Sequence, residues 1–205
     1  MAAYIDNLST PPSVLSQQDQ EAILKVTGEH AAGFRDHVII SVALGTGLRE
    51  HEIAALTVGD VLGAGGHVRT QITLKTYKQS SAKPAPQVVA PTPRLRVKLD
   101  KFIACKKRRG QSLDAGAPLF VSKKKNPIST RAMRTMFRKW QLKAGIESPH
   151  TFHGLRHSAI TSVYRKGKDI KVAQVFARHK SPATTERYTH PTIQDLIEAV
   201  HDLPC

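Results

Sequence analysis

Apolar residues recur every three or four positions through most of the chain, which is the spacing of amphipathic α-helices. The longest such stretches lie at about 16–28, 32–44, 93–109 and 129–144, and shorter ones at 49–56 and 169–177. Within them, Val172, Val175 and Phe176 are expected to face inward, and Trp140 is interpreted as a core residue. Strict alternation of apolar and polar residues, which is typical of a strand, is confined to residues 67–74. A second short strand is predicted at 87–90, after a polar loop. The pattern predicts a mainly α fold (α+β) with a small antiparallel β-sheet.

The same pattern divides the chain into three parts. Residues 1–15 contain Pro11-Pro12 and are expected to form a flexible leader. Residues 16–191 form one domain, since about 200 residues suffice for one good-sized core and hardly for two. Residues 192–205 carry an apolar stripe at helical spacing, so this C-terminal helix either folds back or packs on a neighbouring protomer.

Composition indicates the cellular compartment in which the protein is expected. No run of apolar residues approaches the roughly 20 needed to cross a bilayer, and the N-terminus lacks the pattern of a secretory signal. The two cysteines, Cys105 and Cys205, lie far apart. We therefore expect a protein of the reducing cytoplasm, without a disulfide framework and without a membrane partner.

Charge points to a polyanionic partner. The 31 Lys and Arg residues outnumber the 16 acids and give a net charge of +15. Residues 94–143 hold 16 of those basic residues against only Asp100 and Asp114, so one segment carries nearly all of the excess. Double-stranded DNA is the partner that such a surface favours, with a negative membrane surface or a plain solvated face as alternatives. Within the segment, the predicted helix 129–144 offers a candidate DNA-binding set: Arg131, Arg134, Arg138 and Lys139.

Four short motifs suggest phosphoryl-transfer chemistry. They are Thr46-Gly47-Leu48-Arg49 with Glu52, then His153-Gly154-Leu155-Arg156-His157, then Arg178-His179, and Tyr188 nine residues after His179. Arginine matches the geometry of a phosphate through its fork of donors and stays charged. Tyrosine, with a pKa near 10, becomes a nucleophile more easily when nearby cations favour its phenolate. Such a set can stabilise a reacting phosphate without a metal ion.

The order and spacing of these motifs resemble the tyrosine recombinase (phage integrase) family over roughly residues 15–192. The resemblance implies the helical tyrosine recombinase catalytic-domain fold for residues 16–191 and a site-specific recombinase that cleaves and rejoins DNA without a metal, a nucleotide or any other cofactor. It implies Tyr188 as the nucleophile that forms a 3′-phosphotyrosyl intermediate. It also implies that Arg49 and Arg156 hold the phosphate, that His153 and His179 assist, and that Glu52 supports the site.

The family also has a lysine at the β-turn, which protonates the leaving 5′-oxygen. Lys75, Lys78 and Lys83 compete for that role, and we favour Lys75 because it follows the predicted strand directly. One feature departs from the family pattern, and one motif residue is given no chemical role. Ala177-Arg178 replaces the usual Leu-Gly before the histidine, which puts the local turn in question, and His157 is interpreted as a structural histidine.

Several alternatives stay open at this level. A type IB topoisomerase-like enzyme uses similar chemistry, and a non-catalytic DNA-binding regulator can keep the same fold. The family acts as a tetramer on DNA, although a monomer alone is also compatible with the sequence. The resemblance also implies association with the nucleoid in the cytoplasm. The target site and the direction of the reaction stay open. A zinc site at His150, His153 and His157 is disfavoured, because no cysteine or carboxylate completes the usual ligand spacing.

The family usually adds a helical DNA-binding domain before the catalytic one. Roughly 15 residues precede the first predicted helix here, too few to fold such a domain. The sequence is therefore compatible with a piece of a longer integrase or with a short recombinase of the kind that inverts DNA.

Overall fold

The helices and the small sheet form in the predicted order. The computed structural model describes residues 13–30, 33–74 and 87–188. Within these ranges the antiparallel sheet consists of β1 (Ile72–Leu74) and β2 (Gln87–Val89), with Thr73 opposite Val88. The helices are α1 (Gln17–Glu29), α2 (Phe34–Thr46), α3 (Glu50–Ala55), α4 (Val58–Val61), α5 (Pro93–Arg108), α6 (Thr130–Lys143), α7 (Phe152–Gly167), α8 (Ile170–Ala177) and α9 (Ala183–Glu186). The predicted mainly helical fold with a small antiparallel sheet is confirmed.

Side-chain caps fix where the longer helices begin. Ser16 accepts a hydrogen bond from the amide of Asp19, and Ser129 accepts one from the amide of Ala132. Thr151 caps α7 in the same way, through the amide of Gly154. Each cap satisfies an amide that has no partner inside its helix. The cap of α7 fixes the start of the helix that carries His153 and Arg156.

The first predicted strand is shorter than expected. We expected residues 67–74 to be extended, but the strand covers only Ile72–Leu74. The amide of Val68 donates to the Asp100 carboxylate at 2.9 Å, and the amide of Arg69 donates to the carbonyl of Val61. These bonds replace the ladder that a longer strand would need, because each amide can donate to one strong acceptor.

Helix α2 lies at the centre of the main core and packs against α1, α5, α6 and α7. Its residues Val38, Ile39 and Ile40 are fully buried, which places an apolar helix behind the motif that begins at Thr46. Trp140 is a core residue, as we interpreted it, and its indole N–H donates to Asp36 at 2.9 Å. The main core thus includes α2, which precedes the motif with Arg49, and α6, which precedes the helix with Arg156.

The buried face of α8 differs from our prediction. We expected Val172, Val175 and Phe176 to point inward, but Val172 is 52% and Val175 is 76% exposed, and Phe176 is half-buried. Ala173 and Ala177 are buried instead. They are four residues apart and therefore share one face, and their small side chains let α8 approach α7 closely.

The described residues bear on the predicted domain division only near the N-terminal boundary. Leu15, which we placed in the flexible leader, is buried in the main core, and its amide donates to Ser158 at 2.8 Å. Ser13 Oγ also lies 3.0 Å from Nδ1 of His150, so the packed unit begins no later than residue 13. Residues 1–12, the C-terminal helix predicted at 192–205, and all three candidate lysines (Lys75, Lys78 and Lys83) lie outside the described residues.

Candidate active site

Arg49 is presented by a turn that the Gly-Leu-Arg sequence builds. Gly47 ends α2 with a left-handed backbone (φ 61°), and Arg49 is the N-cap residue of α3. Phe176 packs so closely against Gly47 that a Cβ there would lie 2.8 Å from its ring. Only glycine accommodates both the left-handed conformation and this contact. The turn thereby delivers the Arg49 side chain, 30% exposed, at the start of a helix.

Glu52 holds Arg49 in place, as predicted. Its carboxylate accepts the Arg49 backbone amide at 2.6 Å and the Arg49 Nη1 at 3.2 Å. The glutamate is buried, and a carboxylate within the first turn also suits the positive end of the helix dipole. The buried Glu52 carboxylate thus supports a partly exposed Arg49 guanidinium.

Arg156 lies at the centre of the site and is only 2% exposed. Its Nη1 donates to the carbonyl of Gly47, and its Nη2 donates to the carbonyl of Ala177 at 2.6 Å. The guanidinium therefore connects the turn before Arg49 with the turn before His179. Since arginine has five N–H donors, the two carbonyls leave donors free for a further acceptor. Burial, followed by the charges of Arg49 and Arg178, lowers the pKa of Arg156 to about 10, so it is cationic at neutral pH.

Tyr188 lies against α7 and α8. It belongs to a small apolar cluster with Ile160, Ala173 and Ala177 and is 7% exposed. Its hydroxyl oxygen is 2.6 Å from Nδ1 of His157. Its ring is nearly parallel to that of His179, with the centroids 6.0 Å apart. The predicted nucleophile is therefore next to one motif histidine and hydrogen-bonded to another.

Burial and charge act in opposite directions on the phenol. Burial raises the pKa of Tyr188 above its ordinary value, and the charges of Arg156, Arg187 and Arg49 only partly oppose this effect. We expected nearby cations to lower the pKa, but in this structure desolvation of the phenolate is the larger effect. The tyrosine thus needs a proton acceptor in order to react at neutral pH.

His157 is the acceptor that the geometry offers. Burial, together with the charge of His153 and then of Arg187, lowers the pKa of His157 to about 4, so the ring is neutral at pH 7. With its proton on Nε2, the neutral ring accepts at Nδ1 the hydrogen bond that Tyr188 donates. We interpreted His157 as a satisfied structural histidine. The His157 ring does have a hydrogen-bond partner, but that partner is the predicted nucleophile, Tyr188.

His179 is held by hydrogen bonds to the helix before it, α8, and to the helix after it, α9. Its amide donates to the carbonyl of Gln174 at 3.1 Å, and its Nδ1 is 3.0 Å from the hydroxyl of Thr185. Burial and the charges of Arg156 and Arg49 lower its pKa to about 4. The ring is therefore neutral at pH 7, and the Thr185 contact fixes its orientation beside Tyr188.

These histidines predict that acid destabilises the fold. Both have a pKa of about 4 in the folded chain against an ordinary 6.5, so the unfolded chain binds more protons between these values. The free energy of unfolding should therefore fall as the pH drops from about 6.5 towards 4. In His157→Gln, one of the two contributions is removed, and the fall measured by urea denaturation over this range should be smaller.

The matched control for this measurement is His67→Gln. His67 is exposed in the turn before β1, so its variant measures the effect of replacing a histidine outside the site. If His157→Gln showed the same slope as the wild type, His157 would not be the neutral, proton-excluding group described above.

His153 lies at the edge of the site, on the side of the basic helix. Its ring makes an edge-to-face contact with that of His157, with the centroids 4.5 Å apart. An open cleft with a volume of about 620 Å³ lies beside it, lined also by Arg134, Arg138 and Glu50. Arg134 donates two hydrogen bonds to Glu50 from one edge of its guanidinium, from Nε to Oε2 at 2.9 Å and from Nη2 to Oε1. The cleft therefore connects the motif residues to the predicted DNA-binding face of α6.

Five of the six predicted catalytic residues are described, and four of these converge. Arg49, Arg156, His179 and Tyr188 are linked through the contacts above, and His153 borders them through His157. Lys75 lies outside the described residues. His157 and Arg178 also belong to the site, although the motifs predicted no role in it for either residue. The i,i+4 spacing of His153 and His157, which puts them on one helical face, was a signal for the former.

Among the described residues, no group of three or more His, Cys, Asp or Glu side chains is arranged to hold a metal ion. No described helix is long and apolar enough to cross a membrane.

The sequence matches the model of the phage integrase family over residues 13–195. Among curated relatives, it is 31% identical over 194 residues to tyrosine recombinase XerC 2 of Ralstonia nicotianae, covering 94% of this chain and 53% of that protein. It is 30% identical over 190 residues to tyrosine recombinase XerC of Vibrio atlanticus, covering 92% of this chain and 57% of that protein. The chain thus spans about half the length of these relatives.

Solved structures show the same fold. The XerA recombinase superposes with a TM-score of 0.75 at 28% identity, over 96% of this chain and 66% of that one. The XerH site-specific recombinase bound to its difH substrate gives a TM-score of 0.71 at 21% identity, over 95% of this chain and 55% of that one. The helical architecture is therefore shared even where little sequence identity remains.

Proposed function

Since this chain belongs to the phage integrase family, we propose that it is the catalytic part of a site-specific DNA recombinase that cleaves and rejoins double-stranded DNA. Tyr188 is the nucleophile of this proposal. The observation that carries it is the position of the Tyr188 hydroxyl, 2.6 Å from a neutral histidine and within the field of Arg156 and Arg49. A buried phenol in that setting is suited to attack an anion held by the arginines.

The reaction follows from these positions. The free donors of Arg49 and Arg156 hold the non-bridging oxygens of the scissile phosphate, where negative charge grows as the bond to Tyr188 forms. His157 accepts the phenolic proton, and His153 and His179 donate hydrogen bonds to the phosphate. The bond to the 5′-oxygen breaks and leaves a 3′-phosphotyrosyl link. A 5′-hydroxyl from another strand then reverses these steps.

The leaving 5′-oxygen needs a proton. We assign that role to a lysine of the segment between β1 and β2, with Lys75 favoured over Lys78 and Lys83. An ammonium on a flexible stem suits proton donation to a leaving group. Because the phosphodiester energy is kept in the tyrosyl bond, the proposed reaction needs no nucleotide.

The basic face of α6 supports DNA as the substrate. The side chains of Arg131, Arg134, Arg138 and Lys139 are exposed, whereas Met133, Phe137 and Trp140 are buried on the opposite side. This face borders the cleft at His153, so a duplex lying along α6 would bring a phosphate to the arginines. Not all of the basic segment contributes, since Lys106 is 2% exposed and donates to the carbonyl of Pro118.

The proposal extends to assembly and domain division. Residues 16–191 form the proposed catalytic domain, and the burial of Leu15 supports including the residues just before it. The segment 192–205, which lies outside the described residues, is proposed to contact a neighbouring protomer in a tetramer on DNA. Structures of related fold include proteins bound to DNA, such as the XerH–difH complex and a Tn1549 transposon integrase with transposon end DNA. Association with bacterial DNA in the nucleoid follows from the same proposal.

Covalent capture tests this function directly. The 205-residue chain would be incubated with a random-sequence library of nicked suicide duplexes, and adducts that survive denaturant would be isolated and sequenced. We expect a 5′ label upstream of the break to remain with the protein, and the released strand to carry a free 5′-hydroxyl that a polynucleotide kinase can phosphorylate. A label that leaves with the released strand would contradict the assigned polarity.

The alternatives give different outcomes in the same experiment. A topoisomerase-like enzyme would give adducts without sequence preference, and the monomer would relax supercoiled plasmid. A non-catalytic regulator would bind DNA and give no adduct. Enrichment of one sequence among the captured duplexes distinguishes the recombinase from both.

A further inference from the structure

Arg178 occupies the position directly before His179, where the family usually has glycine. Its backbone is left-handed (φ 56°), and it ends α8. A residue with a Cβ is strained in this conformation, whereas glycine is not. An arginine that is kept at a strained position needs a compensating interaction, and its side chain shows what that interaction is.

The side chain is inserted between two other elements of the site. Its Nη2 donates to Glu52 at 2.6 Å, and its Nε donates to Gln87, the first residue of β2, at 3.1 Å. It is only 6% exposed. One guanidinium thereby connects α8 with α3 and with the sheet, using the fork geometry that lysine lacks.

The same contact changes how Arg49 is held. Glu52 receives Arg178 at its Oε2, and Arg49 Nη1 approaches the other oxygen at a longer 3.2 Å. A carboxylate shared by two guanidiniums binds each of them less tightly than a dedicated partner does. Arg178 therefore fixes Glu52 firmly while it leaves more of the Arg49 charge available to a phosphate.

The net charge of the cluster also favours binding of a phosphate. Arg49, Arg156 and Arg178 face one carboxylate, Glu52, so the cluster carries two more positive than negative charges. Nη1 of Arg178 is the one buried side-chain nitrogen or oxygen without a hydrogen-bond partner among the described residues. A partly desolvated cationic cluster of this kind is suited to an anion that arrives with the substrate.

We infer that Arg178 is a positioning residue for the two arginines, Arg49 and Arg156, that hold the phosphate. Arg178 orients Arg49 through Glu52 and adds its own charge to the site. This inference rests on the proposed function and concerns the rate of cleavage. It predicts that Arg178→Gly removes the backbone strain and still impairs the reaction, because Glu52 then pairs fully with Arg49.

The test compares Arg178→Gly with Lys168→Gly. Lys168 also ends a helix in the left-handed conformation (φ 50°), so its replacement by glycine relieves backbone strain at a helix end that makes no hydrogen bond to Glu52. The probe is a nicked suicide duplex recovered by covalent capture. We expect Arg178→Gly to bind this duplex within about 3-fold of the wild-type Kd and to form the adduct about 10- to 100-fold more slowly, since small misplacements have effects of this size. Lys168→Gly should match the wild type.

Two further measurements separate positioning from a general structural role. Millimolar guanidinium chloride should partly restore the adduct rate of Arg178→Gly, because the free ion can occupy the vacated site, and it should not speed up the wild type. Arg178→Lys keeps the backbone and the charge but loses the fork, so its rate should be reduced at unchanged Kd. This second variant decides the question if the glycine variant does not fold.

The outcomes are distinguishable. If the wild type forms an adduct and Arg178→Gly or Arg178→Lys forms it at the same rate, the positioning role is wrong and the proposed function stands. A rate loss in Arg178→Gly that guanidinium leaves unchanged, accompanied by an equal loss of affinity, also overturns it. If the wild type forms no adduct, the proposed function and this inference fail together.

Discussion

Tyr188→Phe should abolish the covalent protein–DNA adduct while leaving DNA binding intact. The change removes only the hydroxyl oxygen, which lies 2.6 Å from His157, and keeps the ring in its cluster with Ile160. Loss of a nucleophile reduces turnover by about 10⁴-fold or more, whereas loss of one hydrogen bond changes stability by about 1 kcal/mol. Adduct formation on the captured suicide duplex and anisotropy with the same duplex measure the two quantities.

Tyr164→Phe is the matched control. Tyr164 lies on α7 and packs against the same cluster, but it is not a motif residue. It should form the adduct at the wild-type rate, so a general effect of removing a hydroxyl there would be visible. If Tyr188→Phe trapped DNA as well as the control did, another residue would have to be the nucleophile.

Arg156→Lys should reduce the rate of adduct formation by about 10²- to 10³-fold, the range for removing one preorganised donor to a developing oxyanion. The guanidinium reaches the carbonyls of Gly47 and Ala177 at once. A single ammonium cannot reproduce this span and also hold a phosphate. Lysine is preferred to alanine, which would leave both buried carbonyls without their charged partner and destabilise the fold by about 1–3 kcal/mol.

Arg165→Lys provides the comparison for this change. Arg165 is exposed near the C-terminal end of the same helix, and the substitution should leave the rate and the melting temperature unchanged. An Arg156→Lys variant as fast as Arg165→Lys would show that the buried guanidinium does not touch the reacting phosphate.

Much of this architecture can be predicted from the sequence because its signals are local. Ser16, Ser129 and Asp169 each cap the helix that follows them, and capping depends on a residue and its next three neighbours. The Gly-Leu-Arg turn is similarly local, since Gly47 supplies the left-handed residue that ends α2. Buried faces of long helices, such as that of α6 with Met133 and Trp140, follow from periodicity alone.

The inward face of α8 was predicted wrongly for a physical reason. Apolar periodicity in this eight-residue helix favoured Val172 and Val175, but a short helix buries only a narrow stripe. The close approach of α7 selects the small residues Ala173 and Ala177, and that choice depends on the packing partner. The extent of β1 was misjudged for a related reason, because Asp100, 32 residues away, takes the amide of Val68.

The sequence by itself determined the family chemistry: which arginines, histidines and tyrosine stand at which spacings, and the helices that carry them. Only the tertiary structure decided how these groups act on one another. It turned His157 towards the Tyr188 hydroxyl, and it made desolvation outweigh the arginine charges in setting the pKa of the phenol. It also inserted Arg178 between Glu52 and Gln87. Spacing along the chain fixes the identity and face of a residue, whereas burial and partner choice depend on segments that are distant in sequence and meet only in the fold.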